Sequence, residues 1–177
     1  AQAVGAEFKG KKIGSDSLIA GFSLHPLKNL GVWGDGGFVT TNSTEVFEKM
    51  KLLRNHGLVD RDHVSMWGFN SRLDSFQAIV AQVRLAKLEM LNNRRISIAS
   101  FYRDRLSQLV TFQEVSEHSR CVFHNCIART ERSLRDSLIG FAASKGVELK
   151  VHYPIPIHKQ NIVGSPNIIS PQPLMAT

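Results

Sequence analysis

The sequence predicts an α/β protein, and three observations indicate that class. Two short apolar runs bounded by turn formers, SLIAGFSL at 17–24 and GGFVTT at 36–41, are typical of buried strands. Amphipathic helical patterns fill most of the chain between residues 45 and 109. The last third alternates strand, helix and strand patterns. With 177 residues, 42% of them hydrophobic, the chain is long enough to bury a sizeable core.

The two predicted strands flank a loop rich in breakers, HPLKNLGVWGDG at 25–36. The loop also carries Lys28 and Trp33. Because a loop between buried strands is where a scaffold displays functional side chains, this loop is the first candidate site.

Asn42 with Glu45 predicts an N-cap and a capping box for a helix over 45–55, which stops before Gly57. Residues 58–71 show no sustained period. We therefore expect them to be irregular.

Asp74 with Gln77 predicts the cap of a second helix, whose apolar positions recur at helical spacing as far as Met90. The polar run LNNRR at 91–95 is predicted to interrupt the pattern before another amphipathic stretch at 96–109. We expect a domain junction at that break.

The junction divides the chain into domains at 1–93 and 94–177. In the second domain, CVFHNCIA at 121–128 predicts a strand, residues 133–146 predict a helix ended by glycine, and VELKVHY at 147–153 predicts another strand. This is an α+β pattern. The final residues, 161–177, hold three of the six prolines and are expected to be poorly ordered or a truncated end.

The formal charge of +7 at pH 7 comes from basic residues that are scattered along the chain. They do not alternate with aromatics as a nucleic-acid surface would require, so we interpret them as solvated helix faces and expect no nucleic-acid partner. No signal peptide or membrane span is recognised, and a cytoplasmic location is expected. Cys121 and Cys126 are too few for a disulfide scaffold or a zinc site.

Lys28 follows a predicted buried strand in a loop rich in glycine and proline. A lysine amine is partly desolvated in such a place and can attack a carbonyl. Since most loop lysines are solvated surface charges, the surrounding sequence has to decide its role.

That surrounding sequence, FSLHPLKNLGVWGDGGFVTTN at 22–42, resembles the cofactor-lysine segment of the DegT/DnrJ/EryC1/StrS sugar aminotransferases. Further segments resemble other blocks of the family in the same order: AQAVGA at 1–6, KLLRNHG at 51–57, WGFNSRLDSFQA at 67–78 and VHYPIPIHKQ at 151–160. Several ordered blocks are more specific than any one motif. The resemblance implies the type I aspartate-aminotransferase fold, with an incomplete large PLP-binding domain and a small C-terminal domain.

The resemblance also implies pyridoxal 5'-phosphate (PLP) as cofactor and assigns residues to it. Lys28 matches the Schiff-base lysine, and Ser23 matches the serine whose hydroxyl binds the cofactor phosphate. Gln2 matches a glutamine near the cofactor ring. Asn70 matches an asparagine that family dimers donate to the neighbouring subunit's phosphate, and Arg72 would reinforce that anion site.

Four residues in the matching blocks are candidates for contact with substrate: His25, Trp33, His56 and His158. Ordinary loop structure is the alternative for the two later histidines, and anchoring of the loop is the alternative for the tryptophan. The histidine spacing fits no metal site. His124, inside a predicted strand, is interpreted as structural.

Two positions depart from the family pattern, which has an aromatic residue where Ser71 stands and commonly a leucine where Lys159 stands. The aspartate that pairs with the cofactor's pyridine nitrogen is expected two positions before Ala1. We therefore interpret the chain as the C-terminal part of a longer protein.

The implied reaction transfers an amino group from glutamate to a keto sugar, either a sugar nucleotide or a sugar phosphate, with Lys28 as proton carrier. The form of the lysine loop is similar to that of members acting on a 3-oxo sugar phosphate. A homodimer with shared active sites is expected. Three alternatives are open: a dehydratase branch, which has histidine in place of Lys28, an inactive regulator or fragment, and a nucleic-acid-binding module, which lacks a recognisable motif here.

Overall fold

A computed structural model describes residues 1–160, and the segment 161–177 lies outside the described residues. The chain divides into two compact units, one at 1–129 and one that begins at Thr130. The first unit contains seven short strands and three helices: β1 (Glu7–Phe8), β2 (Lys11–Lys12), β3 (Ala20–Ser23), β4 (Gly37–Thr40), α1 (Thr44–Leu53), α2 (Ser75–Leu85), α3 (Leu88–Leu106), β5 (Thr111–Phe112), β6 (Ser119–Arg120) and β7 (Ala128–Arg129).

The hairpin of β3 and β4 confirms both predicted strands, in a shorter form. The strands are antiparallel, in a register that pairs Ala20 with Thr40 and Ser23 with Gly37. The rings of Phe22 and Phe38 stack across the pair with their centroids 4.8 Å apart. The hairpin thus holds both ends of the lysine loop at one fixed point.

A hydrophobic core lies beneath that loop. It consists of Leu24, Leu30, Val32, Val80 and Leu88, all buried. Full burial of such a side chain contributes roughly 1.5–3 kcal/mol. The loop is therefore packed against α2 and α3.

The N-cap of helix α1 lies one residue later than the predicted cap, Asn42. Ser43 is the N-cap, and its Oγ accepts a hydrogen bond from the backbone N–H of Val46. Asn42 instead donates from its side-chain amide to the carbonyl of Ser15. A serine hydroxyl caps a free helix N–H as well as an asparagine side chain does. Because the side chain of Asn42 is engaged with Ser15, Ser43 is the residue that caps the helix.

The predicted interruption at 91–95 is wrong, because α3 runs through those residues without a break. The helical pattern breaks earlier, at Ala86 and Lys87, between α2 and α3. Leu and Arg are good helix formers, and Asn92 hydrogen-bonds to other segments, so the polar run offers no reason to stop. The domain junction near residue 93 stays a prediction.

The predicted strand at 121–128 forms only at its end, where β7 pairs with β5. Ahead of it, β6 joins the sheet β2–β1–β6, so residues 121–127 cross between two sheets. The crossing explains why they make no strand.

In the second unit, α4 (Arg132–Ser144) confirms the predicted helix, which ends with Gly146 at a φ of +75°. The strand predicted at 147–153 is not formed. No residue of that segment pairs with a strand in the described part of the chain. A single 3-10 turn follows at Ile157–Lys159. None of the helices that the structure describes has the length and apolar character needed to cross a membrane.

Candidate functional site

Lys28 lies in the loop that connects β3 to β4. The backbone N–H of Leu24 donates to the carbonyl of Gly36 at 2.8 Å, and the N–H of Val32 donates to the carbonyl of Leu24, also at 2.8 Å. The N–H of Lys28 donates to the carbonyl of His25 at 2.8 Å and closes a tight turn. The lysine is half-buried, so its side chain leaves a defined backbone and is partly removed from water.

Gly31 allows this loop to fold back on itself. A Cβ at this position would lie 2.3 Å from the carbonyl oxygen of Pro26 and 2.9 Å from that of His25. Only glycine permits so close an approach of two backbone segments. The turn that carries Lys28 therefore requires a residue without a side chain at position 31.

Ser23 lies at the end of β3, where its Oγ accepts a hydrogen bond from the N–H of His25 at 3.2 Å. A hydroxyl that accepts one bond retains its own proton as a donor, which suits a phosphate oxygen. The N–H of Leu27 donates to Nδ1 of His25 at 3.3 Å, so the neutral ring carries its proton on Nε2. His25 itself is exposed.

Gln2 is exposed and lies close to the same strand. The amine of Ala1 donates to the carbonyl of Gly21, at 3.2 Å and two residues before Ser23. The structure therefore brings the block with Gln2 to the strand that leads into the lysine loop.

The segment that follows α1 brings three further candidates together. The N–H of His56 donates to the carbonyl of Phe69 at 2.9 Å, and Asn55 bridges to Asn70. Nε of Arg72 donates to Oδ1 of Asn70 at 2.9 Å. The amide N–H groups of Asn70 and the outer N–H groups of Arg72 are exposed donors. Phosphate oxygens accept hydrogen bonds from N–H groups of this kind.

This second group is anchored beside the lysine loop through Leu73, which packs against the core that contains Leu24. A Cβ on Gly36, at the end of the loop, would lie 2.7 Å from Leu73. The segment with Asn70 and Arg72 and the lysine loop are thus tied to one core.

Trp33 is 71% exposed and is held at its backbone. Its N–H donates to Oε1 of Gln77 at 2.9 Å, and its ring centroid lies 5.7 Å from that of Phe76. Gln77 therefore binds the lysine loop instead of completing a capping box, and Asp74 makes no side-chain cap bond. The exposed ring is free to contact a ligand from this anchored backbone.

His158 belongs to the second unit, where it lies exposed in the 3-10 turn. Its substrate role stays a prediction.

Two asparagines that the sequence did not single out are the buried polar residues of the described chain: Asn29 is 4% exposed and Asn92 is 0% exposed. They are hydrogen-bonded to each other at 2.8 Å. His124, interpreted as structural, is half-buried with Nδ1 3.2 Å from Oδ1 of Asn29. The sequence offered only a weak indication of their role: Asn29 directly follows Lys28, and Asn92 lies inside a helical pattern.

The residues present fit a phosphorylated aldehyde cofactor, since a half-buried lysine lies in the loop that directly follows the hydroxyl of Ser23 at the end of β3. Within residues 1–160, no group of three or more histidine, cysteine or acidic side chains is arranged to hold a metal ion.

Comparison with known proteins matches the DegT/DnrJ/EryC1/StrS aminotransferase family model to residues 1–168. The dTDP-3-amino-3,4,6-trideoxy-alpha-D-glucose transaminase of Streptomyces venezuelae is 40% identical over 160 residues, which is 89% of this chain and 42% of the relative. The UDP-N-acetyl-3-dehydro-alpha-D-glucosamine 3-aminotransferase of Acidithiobacillus ferrooxidans is 36% identical over 163 residues, 92% of this chain and 44% of the relative.

Among solved structures, S. venezuelae DesV has a TM-score of 0.88 at 39% identity and matches 92% of this chain over 44% of its own. An aminotransferase from Brucella abortus also has a TM-score of 0.88, at 29% identity, over 92% of this chain and 43% of its own. NtdA from Bacillus subtilis, solved with the bound cofactor PMP, has a TM-score of 0.77 at 28% identity, over 84% of this chain and 36% of its own. The chain thus has an incomplete form of the fold of these aminotransferases and spans less than half the length of the relatives it matches.

Proposed function

Because the chain belongs to the DegT/DnrJ/EryC1/StrS aminotransferase family, we propose that the complete protein is a PLP-dependent aminotransferase of amino-sugar biosynthesis. It transfers an amino group from glutamate to a keto sugar. The observation that carries the proposal is the half-buried Lys28 in a self-bonded loop directly after the strand that ends in Ser23.

The relatives favour a nucleotide-linked acceptor over a sugar phosphate. Their names refer to dTDP- and UDP-linked sugars, as in the relatives from S. venezuelae and A. ferrooxidans. Either acceptor is an anion, which suits the positive balance of the chain.

Lys28 has two roles in this proposal. When bound, PLP supplies an electron sink, so the protein has to provide binding, orientation and a mobile proton. Nζ of Lys28 would hold the cofactor, and the free amine would serve as the base and acid that moves the proton during amino transfer.

Phosphate binding falls to the donors on both sides of the core. The hydroxyl of Ser23 donates to the phosphate of its own subunit, while Asn70 and Arg72 are exposed and donate to the phosphate of a partner subunit. Gln2 contacts the cofactor ring. This arrangement requires a homodimer with shared sites.

His25 and Trp33, on the lysine loop, and His56, beside Asn70, contact the sugar in the complete protein, together with His158. Their exposure leaves ring nitrogens and the indole face available to hydroxyl groups. A cytoplasmic location is part of the same proposal, since the donor glutamate is a cytoplasmic metabolite.

The decisive experiment replaces Lys28 in the full-length protein. Lys28→Ala is expected to remove the visible absorbance of the cofactor–lysine linkage and nearly all formation of 2-oxoglutarate from glutamate and a keto-sugar nucleotide. Lys49→Ala, at an exposed lysine of α1, is the matched control and is expected to retain both. Persistence of the absorbance in Lys28→Ala would refute the assignment.

A non-catalytic role is the second candidate, because one relative is named a pleiotropic regulatory protein, from Geobacillus stearothermophilus, at 36% identity over 170 residues. A regulator would bind the cofactor without turnover. Cofactor absorbance in the full-length protein with no release of 2-oxoglutarate across a panel of keto sugars would favour this candidate.

A further inference from the structure

We propose that Asn29 and Asn92 form an amide pair that positions Lys28 for its reaction with the cofactor. The inference rests on the proposed role of Lys28. Neither asparagine is assigned to cofactor or substrate, so both are positioning residues.

The pair is closely connected. Nδ2 of Asn29 donates to Oδ1 of Asn92 at 2.8 Å and to the carbonyl of Val122 at 3.1 Å. Nδ2 of Asn92 donates to the carbonyl of Val4 at 3.1 Å. Oδ1 of Asn29 lies 3.2 Å from Nδ1 of His124. Each amide therefore uses both its nitrogen and its oxygen.

The network fixes the direction of each amide. Rotation of the Asn29 amide would bring its oxygen against two acceptors, Oδ1 of Asn92 and the carbonyl of Val122. Such a reversal would leave buried polar groups unpaired, which is strongly disfavoured. Asn29 thus has one conformation, and the backbone of Lys28 is attached directly to it.

The neighbouring glycine shows that the site is built around Asn92. Gly5 has a φ of +83°, and a Cβ there would lie 2.5 Å from Nδ2 of Asn92. The carbonyl of Gly5 also accepts a bond from Nη1 of Arg120 at 2.9 Å. The N-terminal block, the lysine loop, α3 and the segment after β6 therefore meet at this amide pair.

Two isosteric variants separate positioning from packing. Asn29→Asp retains the shape but loses both donors and faces two acceptors with a carboxylate. Asn92→Asp retains the acceptor for Asn29 but loses the bond to Val4 and sets a buried carboxylate oxygen against that one carbonyl. Asn93→Asp is the matched control, because Asn93 is the next residue of α3, is exposed, and already acts as an acceptor for Arg120.

The first measurement uses the full-length protein without cofactor. An amine-reactive reagent is applied at neutral pH, and labelling of the peptide that contains Lys28 is followed by mass spectrometry. We expect Lys28 to be labelled about three- to tenfold faster in Asn29→Asp, as fits the loss of one or two buried hydrogen bonds, less so in Asn92→Asp, and at the original rate in Asn93→Asp.

The second measurement is the pH profile of the cofactor–lysine absorbance in the loaded protein. Its midpoint should move in Asn29→Asp and stay in place in Asn93→Asp.

If Asn29→Asp does not fold, the comparison of Asn92→Asp with Asn93→Asp tests the positioning role instead. Unchanged labelling and an unchanged midpoint in the folded variants, while Lys28→Ala removes the absorbance, would overturn the positioning role alone. Absorbance that survives Lys28→Ala would instead overturn the proposed function.

Discussion

At the scale of single residues, the lysine loop depends on Gly31. Gly31→Ala would place a Cβ 2.3 Å from the carbonyl oxygen of Pro26, so the turn must open. We expect a loss of about 1–3 kcal/mol in the free energy of unfolding and a clear loss of PLP affinity. Thermal unfolding and cofactor titration measure the two effects.

Gly21→Ala is the matched control for that variant. Gly21 lies in β3, and a Cβ there would meet nothing within 4 Å. Equal loss of affinity in both variants would show that close approach at Gly31 is not the cause.

Asp60 provides a pH prediction away from the site. Hydrogen bonds from the backbone N–H of Asp62 and from the ring of His63 lower the pKa of the Asp60 carboxyl. The carboxylate should therefore stay ionised below the usual aspartate range, and these bonds should be lost only as the pH falls through the lowered pKa. NMR titration of the carboxyl carbon tests this.

His63→Ala removes the bond from the ring, which is one of three hydrogen bonds that lower the pKa of Asp60; the backbone N–H of residue 63 supplies the third. The pKa of Asp60 should then rise toward its ordinary value while the bond from Asp62 still holds it down. A midpoint identical to that of the original protein would contradict the contribution of the ring.

The residues of the candidate site differ in how far sequence could predict them. Lys28 and Ser23 stand in a distinctive motif, and the structure places Ser23 at the end of β3 and Lys28 in the loop that follows. Asn29 and Asn92 are 63 positions apart, and their contact depends on how α3 packs on the loop. A tertiary hydrogen bond has no local sequence signature, so it could not be predicted.

At the scale of the elements, the start of α1 is testable because neighbouring residues compete for the cap. Ser43→Ala removes the acceptor for the N–H of Val46 and should cost about 1 kcal/mol of unfolding free energy. Thr44→Ala, at the exposed first helical residue, should change it by less than about 0.5 kcal/mol. Denaturant unfolding distinguishes them, and a larger loss from Thr44→Ala would place the cap elsewhere.

Local sequence patterns predicted the helices and the β3–β4 hairpin, but they did not predict the remaining strands correctly. Apolar periodicity predicts α1 and α4 because each helix satisfies its own backbone. The segment at 147–153 has strand-like residues, but a strand needs a partner, and none pairs with it among residues 1–160. Pairing is a tertiary property, so the pattern there was misleading.

At the scale of the whole molecule, both tryptophans are exposed apolar surface. Trp67 is 96% exposed and Trp33 is 71% exposed. We expect another protein segment to cover Trp67, the more exposed of the two, in the full-length protein. The 177-residue chain by itself should therefore show the fluorescence of water-exposed indole and strong quenching by acrylamide.

In the full-length protein the emission of Trp67 should lie at shorter wavelength and be quenched less, because the rest of the polypeptide or a second subunit covers this side chain. The difference between each protein and its own Trp67→Phe variant isolates the contribution of Trp67. Equal quenching in the chain and in the full-length protein would contradict this assignment.

The amide pair at the lysine loop also has a consequence for the order of folding during synthesis. Its three hydrogen bonds link pairs of residues whose sequence separations are 63, 88 and 93 positions. The bond with the largest separation requires Val122. Such long-range contacts form late, after the intervening chain is available. On the ribosome, the lysine loop can therefore form early as a hairpin but reaches its final geometry only after residues 120–124 have emerged, so cofactor capture is expected to follow the emergence of that segment.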